Sequence, residues 1–259
     1  MKAKKSFGQH FLTNESIAKD IAYSLEMTGM VKNVLEIGPG KGVLTKYLAA
    51  QDTNLKVVEA DKDMVQYLTS NKILDDEQII FLDFLKLNMQ KVFDGEPFLM
   101  IGNYPYNISS QILFKMVNSK ELVPEMVGMF QKEVADRVVA PPGSKTYGVI
   151  SVLVQAYYEG KTIIDVAPNS FSPPPKVQSS VIRLVRKENV VLPCDDRLFR
   201  NVVKTAFNQR RKMLRNTLKP LFGEESLMND AYFMQRPEQL SVQDFVDITL
   251  KLEKLKINL

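Results

Sequence analysis

A single cysteine, Cys194, stands among the 259 residues. That scarcity excludes an internal disulfide framework and a thiolate metal cluster, and it fits a reducing cytoplasm. Histidine is as rare: with His10 alone, a multi-histidine metal site is excluded, and no metal is expected. No apolar run is long enough to span a membrane, and the opening MKAKKSFGQHFL lacks the apolar core of a signal peptide. A cytoplasmic protein without a membrane partner is the expectation. A strong excess of one charge sign is missing too. The net charge is only +4, too small by itself to indicate a polyanion.

What is present is a chain that is 45% hydrophobic, enough for one large domain and a small one. Its positive charge is unevenly placed. Lys2, Lys4 and Lys5 open the chain, and Arg197, Arg200, Lys204, Arg210, Arg211, Lys212, Arg215 and Lys219 follow one another with no acidic residue between them. On one continuous helix, positions 197, 200, 204, 211 and 215 would share a face. Such a stripe could track phosphates or form a solvated surface, and both readings stay open at this point.

Thr13 or Asn14 can cap a helix over 16–25. Short apolar runs at 34–38, 56–61, 78–83 and 98–103 read as strands, with helical patterns over 42–51, 63–71 and 108–119. Residues 125–131 lead into a helix over 132–140, which Pro141-Pro142-Gly143 ends, and another helix is expected over 149–159. Residues 161–168 should pair with 179–187 across the proline-rich loop 168–175. This alternation predicts an α/β fold with a mostly parallel sheet covered on both faces. Beyond Lys187 the pattern turns helical, so a boundary is expected near 187–195, giving domains 1–190 and 191–259.

Glu36-Ile37-Gly38-Pro39-Gly40-Lys41-Gly42 lies between a strand and a helix, where glycines let a ligand approach the backbone. Glu59 ends the second strand about 20 residues on, placed to accept both hydroxyls of a ribose. Asp83 ends the third strand, where a carboxylate could bind an adenine amine. An adenosine-bearing cofactor follows, with NAD and S-adenosyl-L-methionine in competition. Asn103-Tyr104-Pro105-Tyr106 decides between them. An aromatic amine is a poor nucleophile because its lone pair is delocalised. The amide oxygen of Asn103 and the carbonyl of Tyr104 could accept its two hydrogens and expose that lone pair, with Pro105 fixing the turn and Tyr106 offering a stacking face.

These residues, with Asn107-Ile108-Ser109-Ser110, resemble the ribosomal RNA adenine dimethyltransferase family. Residues Lys5–Leu12 are similar to its N-terminal motif, which implies that Gln9, His10 and Leu12 fold over the methionine part of the cofactor. Residues Phe171–Val177 are similar to its second base-stacking loop, which implies Phe171 opposite Tyr106. Residues Ala206–Lys212 resemble the bacterial small-subunit type. Two departures stand out: His10 where Asn is common, and Tyr104 where Leu or Ile is usual.

The resemblance implies a class I S-adenosylmethionine methyltransferase (Rossmann-like) with a small helical C-terminal domain. Asn103 and Glu36, Gly38 and Gly40 would join the cofactor site. Arg200, Lys204, Arg210, Arg211, Lys212 and Arg215 would bind RNA. The implied activity is transfer of two methyl groups to each of two adjacent adenosines near the 3′ end of small-subunit ribosomal RNA, with the small subunit as partner. A monomer is expected. The competing readings are a large-subunit RNA methyltransferase conferring antibiotic resistance, a DNA adenine methyltransferase, and a non-catalytic ribosome-assembly factor.

Overall fold

The structure, a computed structural model, describes residues 10–188, 191–223 and 230–257. In chain order the elements are β1 (Phe11–Leu12), α1 (Glu15–Ala22), β2 (Asn33–Ile37), α2 (Thr45–Leu48), β3 (Asn54–Glu59), α3 (Lys62–Ser70), β4 (Ile79–Phe81) and β5 (Leu99–Asn103). They continue with α4 (Ser109–Asn118), β6 (Glu125–Gln131), α5 (Lys132–Val139), α6 (Val149–Gln155), β7 (Tyr158–Val166), β8 (Phe171–Ser172) and β9 (Ser179–Arg186). Four helices follow: α7 (Asp196–Phe207), α8 (Leu214–Thr217), α9 (Lys219–Phe222) and α10 (Val242–Ile257).

Seven strands form one sheet in the order β4-β3-β2-β5-β6-β9-β7. β3 pairs with β2 and β4, and β5 with β2 and β6, all parallel, while β9 runs antiparallel to β6. The short apolar runs are strands because both faces of the sheet are covered: Val34, Leu35, Leu99, Met100 and Ile101 are all 0% exposed, as expected of parallel strands. β7 lies beside β9, the pairing expected across the proline-rich loop. The chain order reverses at β2, whose neighbours are β3 on one side and β5 on the other. A crevice opens outside the carboxyl ends of the strands at such a reversal.

Tyr104, one of the two departures from the family pattern, is accommodated in the core. Its ring is 1% exposed, lies 5.0 Å from Phe130, and donates its hydroxyl to the Val127 carbonyl at 3.3 Å. The space for it exists because positions 102 and 128 are glycine: a Cβ on Gly128 would fall 2.1 Å from Tyr104 Cε2, and one on Gly102 2.8 Å from Cε1.

The chain divides into two compact units, one holding the residues up to Ala135 with Glu159–Arg186, the other Asp136–Tyr158 with the residues from Lys187 onward. The sequence pattern predicts a single boundary near 187–195. Packing also assigns residues 136–158 to the second unit, because α6 carries a buried apolar run (Ile150, Val152, Leu153, Val154) that suits a helical core. The helix expected over 149–159 stops at Gln155, and Tyr158 already begins β7. The helix expected over 42–51 is likewise reduced to the single turn of α2.

In the second unit α7 buries Phe199, Val202, Val203 and Ala206, the spacing of one helix face. Asp195 caps it by accepting from the Leu198 N–H at 2.7 Å. A continuous basic stripe from 197 to 215 does not form. The next position on the buried face after Ala206 is polar (Gln209, Arg210), so extending the helix would bury nothing, and α7 ends at Phe207. Met213 is extended, and Leu214 restarts the chain with its N–H on the Gln235 carbonyl at 2.9 Å. Arg211 and Arg215 therefore do not share a helix with Arg197, Arg200 and Lys204.

Candidate active site

Parallel register brings the ends of four strands together. Glu36 lies beside Val57, Ile37 beside Val58, and Glu59 beside Phe81. Outside these ends is a cleft of about 1050 Å³, walled by His10–Thr13, the 36–46 loop, Glu59, Phe81–Leu85 and Asn103–Ile108. The loop after β2 turns on three left-handed glycines: Gly38 at φ 67°, Gly40 at 54° and Gly42 at 77°. Any other residue would be strained there. A Cβ on Gly40 would also lie 3.2 Å from the Phe11 ring. The Gly38 N–H is held by the Val58 carbonyl at 2.9 Å.

Glu59 is 7% exposed. One carboxylate oxygen accepts from the Gly40 N–H at 3.2 Å and the other from the Asp61 N–H at 2.9 Å, so this residue braces the glycine loop it faces. Burial raises its pKa against those hydrogen bonds. Asp83 accepts from the Leu85 N–H at 2.9 Å, capping a short turn at the cleft edge. A glycine cradle that a Cβ would fill, together with two strand-end carboxylates, fits an adenosine-bearing cofactor: Gly38, Gly40, Glu59 and Asp83 would hold it. Phe11 covers Gly40 and carries the Lys41 ammonium 4.9 Å from its ring centroid. Sequence reasoning misses this residue, and its position inside the N-terminal motif is the one signal for it.

Glu36 is fully buried, and one of its carboxylate oxygens accepts the Thr45 hydroxyl at 2.7 Å. Loss of solvent pushes its pKa from the ordinary 4.5 up to about 8, with Glu59 adding to the rise. Between those values the native state binds more protons at Glu36 than the unfolded chain does, so stability falls as pH rises. The slope is at most about 1.4 kcal/mol per pH unit from this group. Glu59 and Glu125, both raised by burial, act in the same direction. Urea unfolding at pH 5, 6.5 and 8 should show the decline, and Glu36→Gln should flatten it. A variant with the wild-type slope would place the proton elsewhere.

Asn103 ends β5 at the cleft wall. Its side-chain nitrogen donates to the His10 carbonyl at 3.0 Å, which leaves the amide oxygen as the remaining acceptor. The Tyr104 N–H is held by the Met129 carbonyl at 3.2 Å, and Pro105 (φ −58°) fixes the next turn. The Tyr106 hydroxyl shares a 2.6 Å hydrogen bond with Ser179, so its ring is held by its far end. The His10 ring stacks on it with centroids 5.4 Å apart and 26° between planes.

The structure thus brings His10, Leu12, Glu36, Gly38, Gly40, Glu59, Asp83, Asn103, Tyr104, Pro105 and Tyr106 to one cleft. Gln9 lies outside the described residues, as do Lys2, Lys4 and Lys5. Leu12 is 3% exposed and belongs mainly to the core. Phe171 is 4% exposed, pairs with Leu12 across β1 and β8, and packs in the hydrophobic core beside the cleft-lining Ser172. A buried aromatic in that two-stranded sheet gains from apolar contact.

In the second unit, Lys204, Arg211, Lys212 and Arg215 are exposed and Arg200 half-buried. The Arg210 guanidinium donates to the Ser144 carbonyl at 3.2 Å and lies 3.9 Å from the Glu238 carboxylate. Those internal partners make it a brace of its own unit. Among the described residues no cluster of His, Cys, Asp or Glu could hold a metal ion, and no helix is long and apolar enough to cross a membrane.

Comparison with known proteins gives a consistent result. Residues 1–254 match the family described as "Ribosomal RNA adenine dimethylase". The chain is 52% identical over 253 residues to the "Ribosomal RNA small subunit methyltransferase A" of Flavobacterium johnsoniae, with 98% of this chain and 97% of that one covered. It is 51% identical over 255 residues to the protein of the same name from Bacteroides thetaiotaomicron, covering 98% and 95%. Among solved structures, a dimethyladenosine transferase from Plasmodium falciparum superposes with a TM-score of 0.78 at 25% identity, covering 95% of this chain and 98% of that one.

Proposed function

Since the chain belongs to the ribosomal RNA adenine dimethylase family, we propose that it dimethylates the N6 amines of two adjacent adenosines near the 3′ end of small-subunit ribosomal RNA. The methyl donor is S-adenosyl-L-methionine, which supplies an electrophilic methyl group when bound. The observation that carries this reading is the orientation of Asn103: with its nitrogen on the His10 carbonyl, its oxygen is the acceptor turned to a substrate amine.

The chain's residues divide the task. Asn103 and the Tyr104 carbonyl accept the two amine hydrogens, drawing nitrogen toward tetrahedral geometry and exposing its lone pair. Tyr106 stacks the target base, which must leave its helix to reach the cleft. Gly38, Gly40, Glu59 and Asp83 hold the cofactor, and Glu36 with Thr45 anchors the loop beneath it. Alignment of amine and methyl supplies much of the rate. No strong general base is required, because a methylated anilinium-like nitrogen is acidic and loses its proton to water. The reading includes a monomer working in the cytoplasm, with a role in small-subunit biogenesis.

Transfer of labelled methyl from S-adenosylmethionine to free RNA, to small subunits and to large subunits, followed by nucleoside analysis, tests it. N6,N6-dimethyladenosine in small-subunit RNA is the expected product. Label confined to large-subunit RNA, or no transfer, would overturn the assignment.

The exposed cations of the second unit are read as phosphate-binding groups. Replacing Lys204, Arg211, Lys212 and Arg215 by Gln should weaken subunit binding and flatten its salt dependence. For every phosphate the variant no longer neutralises, the log–log slope should fall by about 0.7–0.9. Arg210 stays in place because of its internal partners. A folded variant with the wild-type slope would mean this surface does not hold RNA.

A further inference from the structure

We propose that Lys115, which does not itself line the cleft, is a positioning residue that sets Asp83 toward the adenine amine of the cofactor; this rests on the cofactor-binding role read for Asp83 above. Asp83 opens a single tight turn, Phe84–Lys86, and residues Phe81–Leu85 wall the cleft. The start of the turn is closed by Asp83 itself. Its carboxylate accepts the Leu85 N–H at 2.9 Å, and its backbone carbonyl accepts the Lys86 N–H at 2.9 Å. The far end has no helix to run into, because Leu87 is extended (φ −64°, ψ 131°), so its last carbonyls need donors from elsewhere. Lys115 supplies them. Its ammonium donates to the Leu85 carbonyl at 2.9 Å and to the Leu87 carbonyl at 2.6 Å. It also stands 5.1 Å from the centroid of the buried Phe84 ring.

A lysine on a helix surface ordinarily keeps its charged head in water. This one is half-buried, and loss of solvent lowers its pKa, with the Asp83 charge acting against the shift. Ammonium and carboxylate thus grip one short turn from its two ends, close enough to feel each other. With one oxygen on the Leu85 N–H, Asp83 has its second oxygen for a ligand, and the tilt of the turn sets where that oxygen points. Fixing the Leu85 and Leu87 carbonyls fixes the tilt. The lysine works from a firm base: α4 is seated by its buried Ile112, Leu113, Met116 and Val117. At the other end of α4 the Ser109 hydroxyl donates to the Tyr106 carbonyl at 3.1 Å, so one helix braces both the adenine-side turn and the Asn103–Tyr106 turn.

The test is calorimetry with two ligands, S-adenosylhomocysteine and S-inosylhomocysteine, which carry an amine and a carbonyl oxygen respectively at the same purine carbon. A carboxylate accepts from the amine and repels the carbonyl, so the ratio of the two Kd values reports where Asp83 points. The wild type should prefer the adenine ligand. Asp83→Asn, which keeps an acceptor for the Leu85 N–H and turns an NH2 outward, should lose that preference. Lys115→Met, of similar length but without donors, should reduce the preference about 3- to 10-fold, within the net contribution of one hydrogen bond, and leave S-inosylhomocysteine binding as in the wild type. Lys115→Arg, which can reach both carbonyls, should restore most of it. Lys115→Gln, too short to reach both, should lie between methionine and the wild type, and it carries the comparison if methionine prevents folding by circular dichroism. A folded methionine or glutamine variant with the wild-type ratio would overturn the proposal. So would equal weakening of both ligands, the mark of a lysine that merely steadies the fold, or an arginine variant no better than methionine. A wild type that binds both ligands equally would remove Asp83 from the adenine, and the proposal with it.

Discussion

Asn103→Ala is expected to lower methyl transfer by on the order of 10²–10³-fold, the loss typical when a single hydrogen-bonding group acting on the transition state is removed. Cofactor affinity should change far less. The reason is where the amide points: its nitrogen is committed to the His10 carbonyl, and in the proposed reading its oxygen accepts from an amine present only when substrate is bound. An interaction that strengthens as the amine pyramidalises appears in kcat rather than in cofactor binding. Asn103→Asp separates the two halves of the amide, since it keeps acceptor oxygens but loses the donor to His10. It should retain more activity than alanine. Single-turnover transfer to small subunits, with calorimetry of S-adenosylmethionine, measures both. A wild-type rate in the alanine variant would end the proposed mechanism.

Glu59→Ala should weaken S-adenosylmethionine binding by about 1.5–3 kcal/mol, the scale of a lost charged hydrogen bond. That corresponds to roughly a 10- to 150-fold higher Kd. Two effects combine. The ribose loses its acceptor, and the Gly40 N–H, 3.2 Å from the Glu59 carboxylate, loses the partner that steadies the glycine loop. Glu59→Gln, which retains one acceptor oxygen, should fall between alanine and the wild type. The fold should persist, because Glu59 is the last residue of β3 and its side chain lies outside the hydrophobic core. Calorimetry checks the affinity and circular dichroism the fold. Unchanged affinity in a folded alanine variant would remove Glu59 from the ribose site.

Much of the first unit is legible because parallel strands buried on both faces must be short apolar runs, and the runs at 34–38, 56–61, 78–83 and 98–103 each overlap a strand. The helix ends are less legible. The 42–51 segment has helical composition, but three left-handed glycines, the last of them Gly42, consume its first turn in loop. The 149–159 segment ends early because Tyr158 is recruited by β7. The basic run from 197 to 219 shows the same weakness. Charge spacing fits one helix, yet charge does not hold a helix in place; burial does, and the buried face of α7 runs out at Ala206.

By itself the sequence determined the α/β class, the glycine loop, the strand-end carboxylates and the Asn103–Tyr106 turn, because each depends on residue types at short spacing along one strand and its exit. It also determined that neither disulfide nor histidine-cluster chemistry is in play, since Cys194 and His10 stand alone. Tertiary structure decided what depends on contacts across long separations. Phe171 and Leu12, 159 positions apart in number, became core neighbours through the pairing of β1 with β8. His10 came to rest on Tyr106, and its carbonyl set which end of the Asn103 amide is free. Gly128 made room for the Tyr104 ring, so an unusual residue at that position costs the fold nothing visible. Local patterns carry the chemistry that a residue can perform. Which face it presents, and to what, is settled only when distant segments compete for the same apolar space.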